Sequence, residues 1–210
     1  MSNMNYYTLL CFGAAYFIGA IPTSYIIVKL LKKVDIREYG SKNVGATNAG
    51  RILGKKWFFI IMLLDVLKGI IPILITKKVL NTDINAANGY LIFITGIIAV
   101  IGHTFPVYLN FKGGKGVAVT AGVFLMFDYR LLIIGLIVFI LIVFITKYIS
   151  AGSITASLSL PISELILYKN SQNYYLLSIT ILISLYIIFK HRENIKRIIN
   201  KTERKWGERI

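Results

Sequence analysis

The sequence has little cysteine, few acidic residues and few histidines. Its single cysteine, Cys11, lies inside an apolar run, so neither a disulfide framework nor a cysteine-built metal site is available. Nine Asp and Glu stand against 24 Lys and Arg, there are only two histidines, and no group of them has metal-ligand spacing. No internal repeat and no low-complexity linker divides the chain, so residues 1–210 are expected to form a single domain. No basic segment precedes the first apolar run and no small-residue cleavage site follows it, as a cleaved signal peptide would require, so that run is expected to stay as an anchor.

What is present is apolar surface. Apolar residues make up 56% of the chain and the mean hydropathy is +0.70, against roughly 45–50% apolar in an ordinary soluble domain. A formal charge of +15 would raise the question of nucleic acid in a soluble protein. Here the cations sit between apolar runs and form no continuous stripe, so membrane topology accounts for them and no nucleic-acid partner is expected. Residues 6–28 carry no charge and exceed the roughly 20 residues that cross a hydrocarbon core. Further apolar runs cover 57–76, 89–109, 117–127, 131–146, 154–168 and 174–189, making about seven transmembrane helices in an all-α integral membrane protein. The run 117–127 is short enough to be a half-span or re-entrant segment, which leaves five or six crossings open as well.

With seven crossings, 19 of the 24 Lys and Arg fall on one side: eight from Lys29 to Lys56, Lys112 and Lys115, Lys147, and eight from Lys190 to Arg209. The other side receives Lys77, Lys78, Arg130 and Lys169, and Lys68 lies within a run. The positive-inside rule then places the N-terminus outside and the C-terminus in the cytoplasm.

Four segments on the basic side carry candidate chemistry. The first, DIREYGSKNVGATNAGRILGKK, places Gly40, Gly45, Gly50 and Gly54 among Ser41, Asn43, Thr47, Asn48 and Arg51. Glycines let backbone amides approach an anion, and an adjacent arginine favours phosphate; a basic loop touching lipid headgroups fits the composition equally well. The second, GHTFPVYLNFKGGKGVAVTAGV, presents Lys115 among Gly113, Gly114 and Gly116. Its spacing is not that of a Walker A loop, so nucleotide binding is not supported, while a lysine on pliable backbone suits a phosphate. His103, about two turns earlier, reads as a packing or hydrogen-bonded residue. The third holds Ser150 and Ser153 near the start of the sixth run, where serines ordinarily cap a helix. In the fourth, FKHRENIKRIINKTERKWGERI, His191 and Asn194 share one face if the last helix continues; a basic tail lying on anionic lipid is the competing reading. Asp65 and Lys68, three apart inside a run, are expected to neutralise each other or to line a polar cavity.

Taken in order, GSKNVGATNAGRILGKK, GHTFPVYLNFKGGKGVA and HRENIKRI with a following TER, together with LLDVLKGIIP and the serine pair, resemble the bacterial acyl-phosphate:glycerol-3-phosphate acyltransferase (PlsY) family over nearly the whole chain. The resemblance implies a seven-helix enzyme of the bacterial cytoplasmic membrane that moves a fatty acyl group from acyl phosphate to the 1-hydroxyl of glycerol 3-phosphate. The products are lysophosphatidic acid and phosphate, the donor comes from a PlsX-type phosphate acyltransferase, and no cofactor and no metal ligand is assigned. Carried over by position, the family's site falls on Ser41, Arg51, Lys115, Ser153, His191 and Asn194, all on the cytoplasmic side. Arg51 and Lys115 would hold substrate phosphate, His191 and Asn194 would orient the acceptor, and Ser41 and Ser153 would donate hydrogen bonds; the proton acceptor is either His191 or the donor's phosphate. No Ser-His-Asp arrangement is visible, and the His-x4-Asp signature of acyl-CoA-using enzymes is missing, since Lys196 stands five residues after His191. The chain departs from the family pattern at Lys42 and near Lys201, where glycine is common, and in having SAGS at 150–153 in place of SLAS.

Two other function classes compete. A small organic-anion transporter predicts repeated halves and cations reachable from both sides. A lipid-binding scaffold predicts that the Gly/Asn loops tolerate replacement.

Overall fold

The computed structural model describes residues 6–169 and 174–208; Arg209, one of the cations assigned above to the basic side, lies outside the described residues. All regular structure among the described residues is helical, as the apolar runs require. The chain divides into two compact units, one reaching to Phe127 and one spanning Asp128–Glu208.

The first unit contains α1 (Tyr6–Ala20), α2 (Thr23–Lys32), α3 (Ala46–Leu53), α4 (Lys55–Val79), α5 (Tyr90–Thr104) and α6 (Val117–Phe127). The run 6–28 is not one helix. Pro22 has no N–H to donate, so the helix breaks at Ile21–Pro22 and resumes as α2. Tyr6–Lys32 taken together is still long and apolar enough to cross a membrane. The Ile21 carbonyl exposed by the break accepts from Lys68 Nζ at 2.6 Å. Lys68 Nζ also lies 2.6 Å from Asp65 Oδ1, and both side chains are at most 5% exposed, so the expected intramembrane pair does form. Glycines set the helix spacing: a Cβ on Gly69 would collide with the Val119 carbonyl of α6, and one on Gly102 with the Tyr16 carbonyl of α1. Small residues of this kind let apolar helices approach until their backbones touch.

The second unit contains α7 (Tyr129–Thr146), α8 (Ile149–Leu167), α9 (Tyr174–Lys190) and α10 (Arg192–Ile199). Asp128 caps α7 by accepting from the Arg130 amide at 2.9 Å. Gly152, the small residue in SAGS, lets α8 approach α7: a Cβ there would sit 2.5 Å from Val143 Cγ2 and 3.0 Å from the Phe139 carbonyl. A buried carboxyl that the apolar reading of 154–168 does not anticipate, Glu164 of α8, is 2% exposed and accepts from Thr180 Oγ1 at 3.2 Å.

Each of the seven apolar runs appears as helix. Among the described residues, five helical segments are long and apolar enough to cross a membrane, and two shorter apolar helices, Val117–Phe127 and Leu176–Lys190, accompany them.

Candidate active site

In the first unit the segment between α2 and α4 is built, not loose. Lys33 ends α2 in a left-handed conformation, with φ 58°, and donates its amide to the Lys29 carbonyl. Asp35 then caps a short 3-10 turn over Ile36–Glu38 and is gripped by the Arg37 guanidinium at 2.7 Å. That side-chain contact, against a small opposing effect of burial, holds the Asp35 carboxyl below its usual range. A turn at Gly40, with φ 61°, and Lys42, with φ 58°, leads into α3, which is not foreseen in the sequence reading of this loop.

Asn48 holds the turn in place. It is 2% exposed, and its Oδ1 accepts from the Ser41 amide at 3.0 Å. Its Nδ2 faces three carbonyls, of Ile36 at 3.2 Å, Tyr39 at 3.0 Å and Asn43 at 3.2 Å. One buried amide therefore ties together the loop that displays Ser41, while α3, which starts from Gly45, carries Arg51 in its last turn. Both side chains are partly exposed.

Lys42 is exposed and sits where glycine is common in the family pattern. A left-handed non-glycine residue is disfavoured by about 1 kcal/mol. Lys42→Gly is accordingly expected to raise the melting temperature of the purified protein by about 2 °C, corresponding to about 0.5–1 kcal/mol. Thermal unfolding in detergent checks this, and a lowered midpoint would refute it.

The second loop closes over the end of α5. The Gly113 amide donates to the Thr104 carbonyl at 3.3 Å and the Gly114 amide to the His103 carbonyl at 3.1 Å, using carbonyls that the end of α5 leaves unpaired. Side chains do not fit there: a Cβ on Gly113 would strike the His103 carbonyl, and one on Gly114 would strike the His103 ring and lie 2.8 Å from the Val44 carbonyl. Val44 of the first loop and Leu109 of the second are buried in one apolar cluster with Val28, Ile36, Ala49 and Ile61. The two glycine loops thus pack on a common core in this unit, and Gly116, with φ 86°, leads from Lys115 into α6.

In the second unit the helix does not run through His191. α9 ends at Lys190, His191 occupies the joint with φ −99° and ψ 7°, and α10 starts at Arg192. His191 is 3% exposed and its Nδ1 lies 2.8 Å from the Ile187 carbonyl. A carbonyl only accepts, so Nδ1 carries a proton and donates it in this hydrogen bond. Neither serine caps α8, contrary to the ordinary role expected for them: Tyr148 occupies the cap position and no side chain closes it. Ser153 Oγ donates to the Ile149 carbonyl at 3.0 Å. Ser150 Oγ donates to Glu203 Oε1 at 2.7 Å.

Glu203, to which the sequence reading assigns no role, organises this unit. Its Oε1 also accepts from Asn194 Nδ2 at 2.6 Å, and its Oε2 from Arg197 Nε at 2.7 Å. Burial opposes the charge on Glu203, but the hydrogen bonds from Ser150, Arg197 and Asn194 and the arginine's charge outweigh it, so the carboxyl titrates below its usual range. Nearby, the Trp206 amide donates to the Lys147 carbonyl at 2.7 Å, where α7 ends. The C-terminal segment is therefore folded back on its own unit up to this point. The TER run quoted in the sequence was the available signal for Glu203, but its partner Ser150 lies 53 residues away.

Comparison with known proteins places these features in a family. The family model described as glycerol-3-phosphate acyltransferase matches residues 9–201. The glycerol-3-phosphate acyltransferase of Fusobacterium nucleatum subsp. nucleatum is 44% identical over 191 residues, covering 91% of this chain and 94% of that protein. The one from Staphylococcus haemolyticus is 42% identical over 196 residues, covering 91% and 94%. Among solved structures, PlsY (YgiH), an integral membrane glycerol 3-phosphate acyltransferase, in its glycerol 3-phosphate form superposes with a TM-score of 0.85 at 38% identity over 95% of this chain and 96% of that one. Its lysophosphatidic acid form gives 0.82 at 37%, covering 96% of each chain. With a matching helical fold, a family model spanning both units and relatives alike over almost their whole length, the chain belongs to the glycerol-3-phosphate acyltransferase family of integral membrane enzymes.

Proposed function

We propose that this enzyme takes its acyl group from acyl phosphate and places it on the 1-hydroxyl of glycerol 3-phosphate, releasing lysophosphatidic acid and inorganic phosphate. The observation that carries the reading is the pair of glycine loops in the first unit. They are packed on one core and display Ser41, Arg51 and Lys115, in a chain similar to a protein solved in a glycerol 3-phosphate form. Both substrates are phosphate-bearing anions, and two cations on fixed backbone suit them.

Acyl phosphate is a mixed anhydride with a good leaving group, so alignment and charge stabilisation suffice without an acyl-enzyme. The acceptor hydroxyl oxygen forms the new ester bond to the acyl carbon, the bond from that carbon to the phosphate oxygen breaks, and its electron pair leaves with phosphate. The hydroxyl proton passes to the departing phosphate or to His191, whose Nδ1 is the ring nitrogen engaged with the Ile187 carbonyl. Asn194 orients the acceptor, and the reaction is assigned to a single acyltransferase domain over 1–210. Ser153 Oγ donates its one hydrogen bond to the Ile149 carbonyl, so donating to substrate requires it to turn from that carbonyl. The seven apolar helices are read as seven crossings with the N-terminus outside, the C-terminus inside and the site facing the cytoplasm of a bacterial cell, where a PlsX-type enzyme supplies the donor.

The test uses the purified full-length protein in detergent with glycerol 3-phosphate and either acyl phosphate or acyl-CoA, scored for lysophosphatidic acid. Product from acyl phosphate and none from acyl-CoA is expected, with His191→Ala and Lys115→Ala losing most of their activity while still inserting. Product from acyl-CoA alone overturns the donor assignment, and no product from either overturns the reaction.

A further inference from the structure

The first unit contains a buried polar network that the proposed chemistry does not use. Asp65 Oδ1 accepts from Thr23 Oγ1 at 2.7 Å and pairs with Lys68 Nζ at 2.6 Å, while Lys68 also donates to Thr23 Oγ1 at 3.0 Å and to the Ile21 carbonyl at 2.6 Å. His103 brings its Nδ1 within 3.9 Å of the same Asp65 oxygen and is 10% exposed. Its other edge, Nε2, lies against Gly114, where even a methyl group would collide with it. A small cavity between these elements is lined by Ile21, Thr23, Lys68, His103, Gly113 and Gly114. Three separate stretches of chain therefore meet around one carboxylate, and a fourth, the glycine turn before Lys115, rests on the imidazole that faces it.

A charged pair held inside membrane-spanning helices is expensive unless it is well paired, and an apolar contact could have joined these helices more cheaply. An ionic anchor differs from an apolar one in fixing direction: Lys68 and Thr23 fix the Asp65 carboxylate, the His103 ring stands against it at 3.9 Å, beyond direct hydrogen-bonding distance, and the ring limits how closely the Gly113–Gly114 turn can settle. We propose that Asp65, Lys68 and His103 are positioning residues that brace the Gly113–Gly114 turn and thereby set the reach of Lys115 toward substrate phosphate. The proposal rests on the reading of Lys115 given above, and it assigns these three side chains no contact with the reacting atoms. Lys68 anchors the carboxylate to the helix break at Ile21–Pro22, and the carboxylate faces the histidine.

The test combines kinetics with backbone exchange on the full-length protein in detergent, using His103→Ala, Asp65→Asn, Lys115→Ala and the double variant His103→Ala/Lys115→Ala. If His103 acts through Lys115, His103→Ala raises KM by about tenfold with kcat changed by no more than about threefold, for the substrate whose KM Lys115→Ala also raises. The double variant is then no worse than Lys115→Ala alone, because residues acting in one chain are not additive. His103→Gln, which keeps a polar group facing Asp65, restores most of the loss. Amide hydrogen exchange over residues 105–116 is faster in His103→Ala and Asp65→Asn, while exchange in α4 stays at the wild-type level. Losses that multiply in the double variant, or exchange over 105–116 identical to wild type, overturn the brace. If the wild-type protein makes no product, the proposed reaction falls on that result alone, and the exchange comparison still decides whether the turn depends on His103.

Discussion

Glu203→Ala is expected to be among the most destabilising single substitutions in the chain, lowering the melting temperature by about 8 °C and transferase activity by more than about tenfold. The carboxylate is 9% exposed and collects Ser150, Asn194 and Arg197. Removing it leaves three donors without their acceptor, and loss of one partner of a buried ionic group costs about 3–5 kcal/mol. Arg197 is 35% exposed and finds water instead, which puts the expected loss at the lower end of that range. Activity falls because Asn194 loses the contact that fixes its amide, and His191 is the joint on which α10 begins. Glu203→Gln should fall between: its carbonyl oxygen still accepts from Ser150 and Asn194, but its NH2 group meets the Arg197 donor.

The pH dependence has a definite sign. The folded carboxyl titrates below its ordinary 4.5, so its stabilisation is complete above that pH and is lost as the pH falls through the folded value. The stability gap between wild type and Glu203→Gln should therefore be constant near neutrality and shrink on acidification. Thermal unfolding of both proteins across the acidic range measures it, and a gap that stays constant through that range would mean that the charge on Glu203 is not what the contacts stabilise.

The helices were legible because lipid requires every backbone group in a crossing to bond within its own segment, which imposes long apolar runs on the sequence. What escaped the reading were the interruptions. Pro22 splits the first run and His191 separates α9 from α10, and each is set by one residue inside an otherwise continuous pattern. Asp65 and Lys68 were readable as a pair because three residues on a helix bring side chains together. Their links to Ile21 and His103 were not, because those join different helices. The same distinction separates the candidate site residues from their supports. Ser41, Arg51, Lys115, Ser153, His191 and Asn194 were marked by motif, whereas Glu203 works through Ser150, 53 residues away. Lys42 and Lys201 are instructive in the other direction: both depart from a glycine pattern, and both adopt left-handed φ, of 58° and 57°. The backbone there keeps a shape that glycine would adopt more easily.

Asn48→Ala is expected to reduce kcat/KM by about a hundredfold, because displacement of a positioned group by about 1 Å has effects of that order. The side chain accepts one backbone hydrogen bond and donates toward three carbonyls from a site 2% exposed. Without it, the Ser41 amide and the carbonyls of Ile36, Tyr39 and Asn43 lose their buried partner, at about 1 kcal/mol for each bond. The turn carrying Ser41 is then shaped by its left-handed residues and by the bond from the Lys42 amide to the Tyr39 carbonyl at 2.9 Å. Asn48→Asp separates this account from a simple loss of volume. Aspartate has the same shape and can still accept from Ser41, but its second oxygen would face three carbonyl oxygens with nothing to donate. If the donations hold the loop, Asn48→Asp is at least as damaging as Asn48→Ala, in both melting temperature and lysophosphatidic acid formation. If filling the space were enough, Asn48→Asp would behave like wild type, and that result would remove Asn48 as the organiser of the loop. Ser41→Ala leaves the backbone amide, and so the bond to Asn48, in place. It should therefore lower activity with little change in melting temperature, which distinguishes a residue that meets substrate from the one that holds it there.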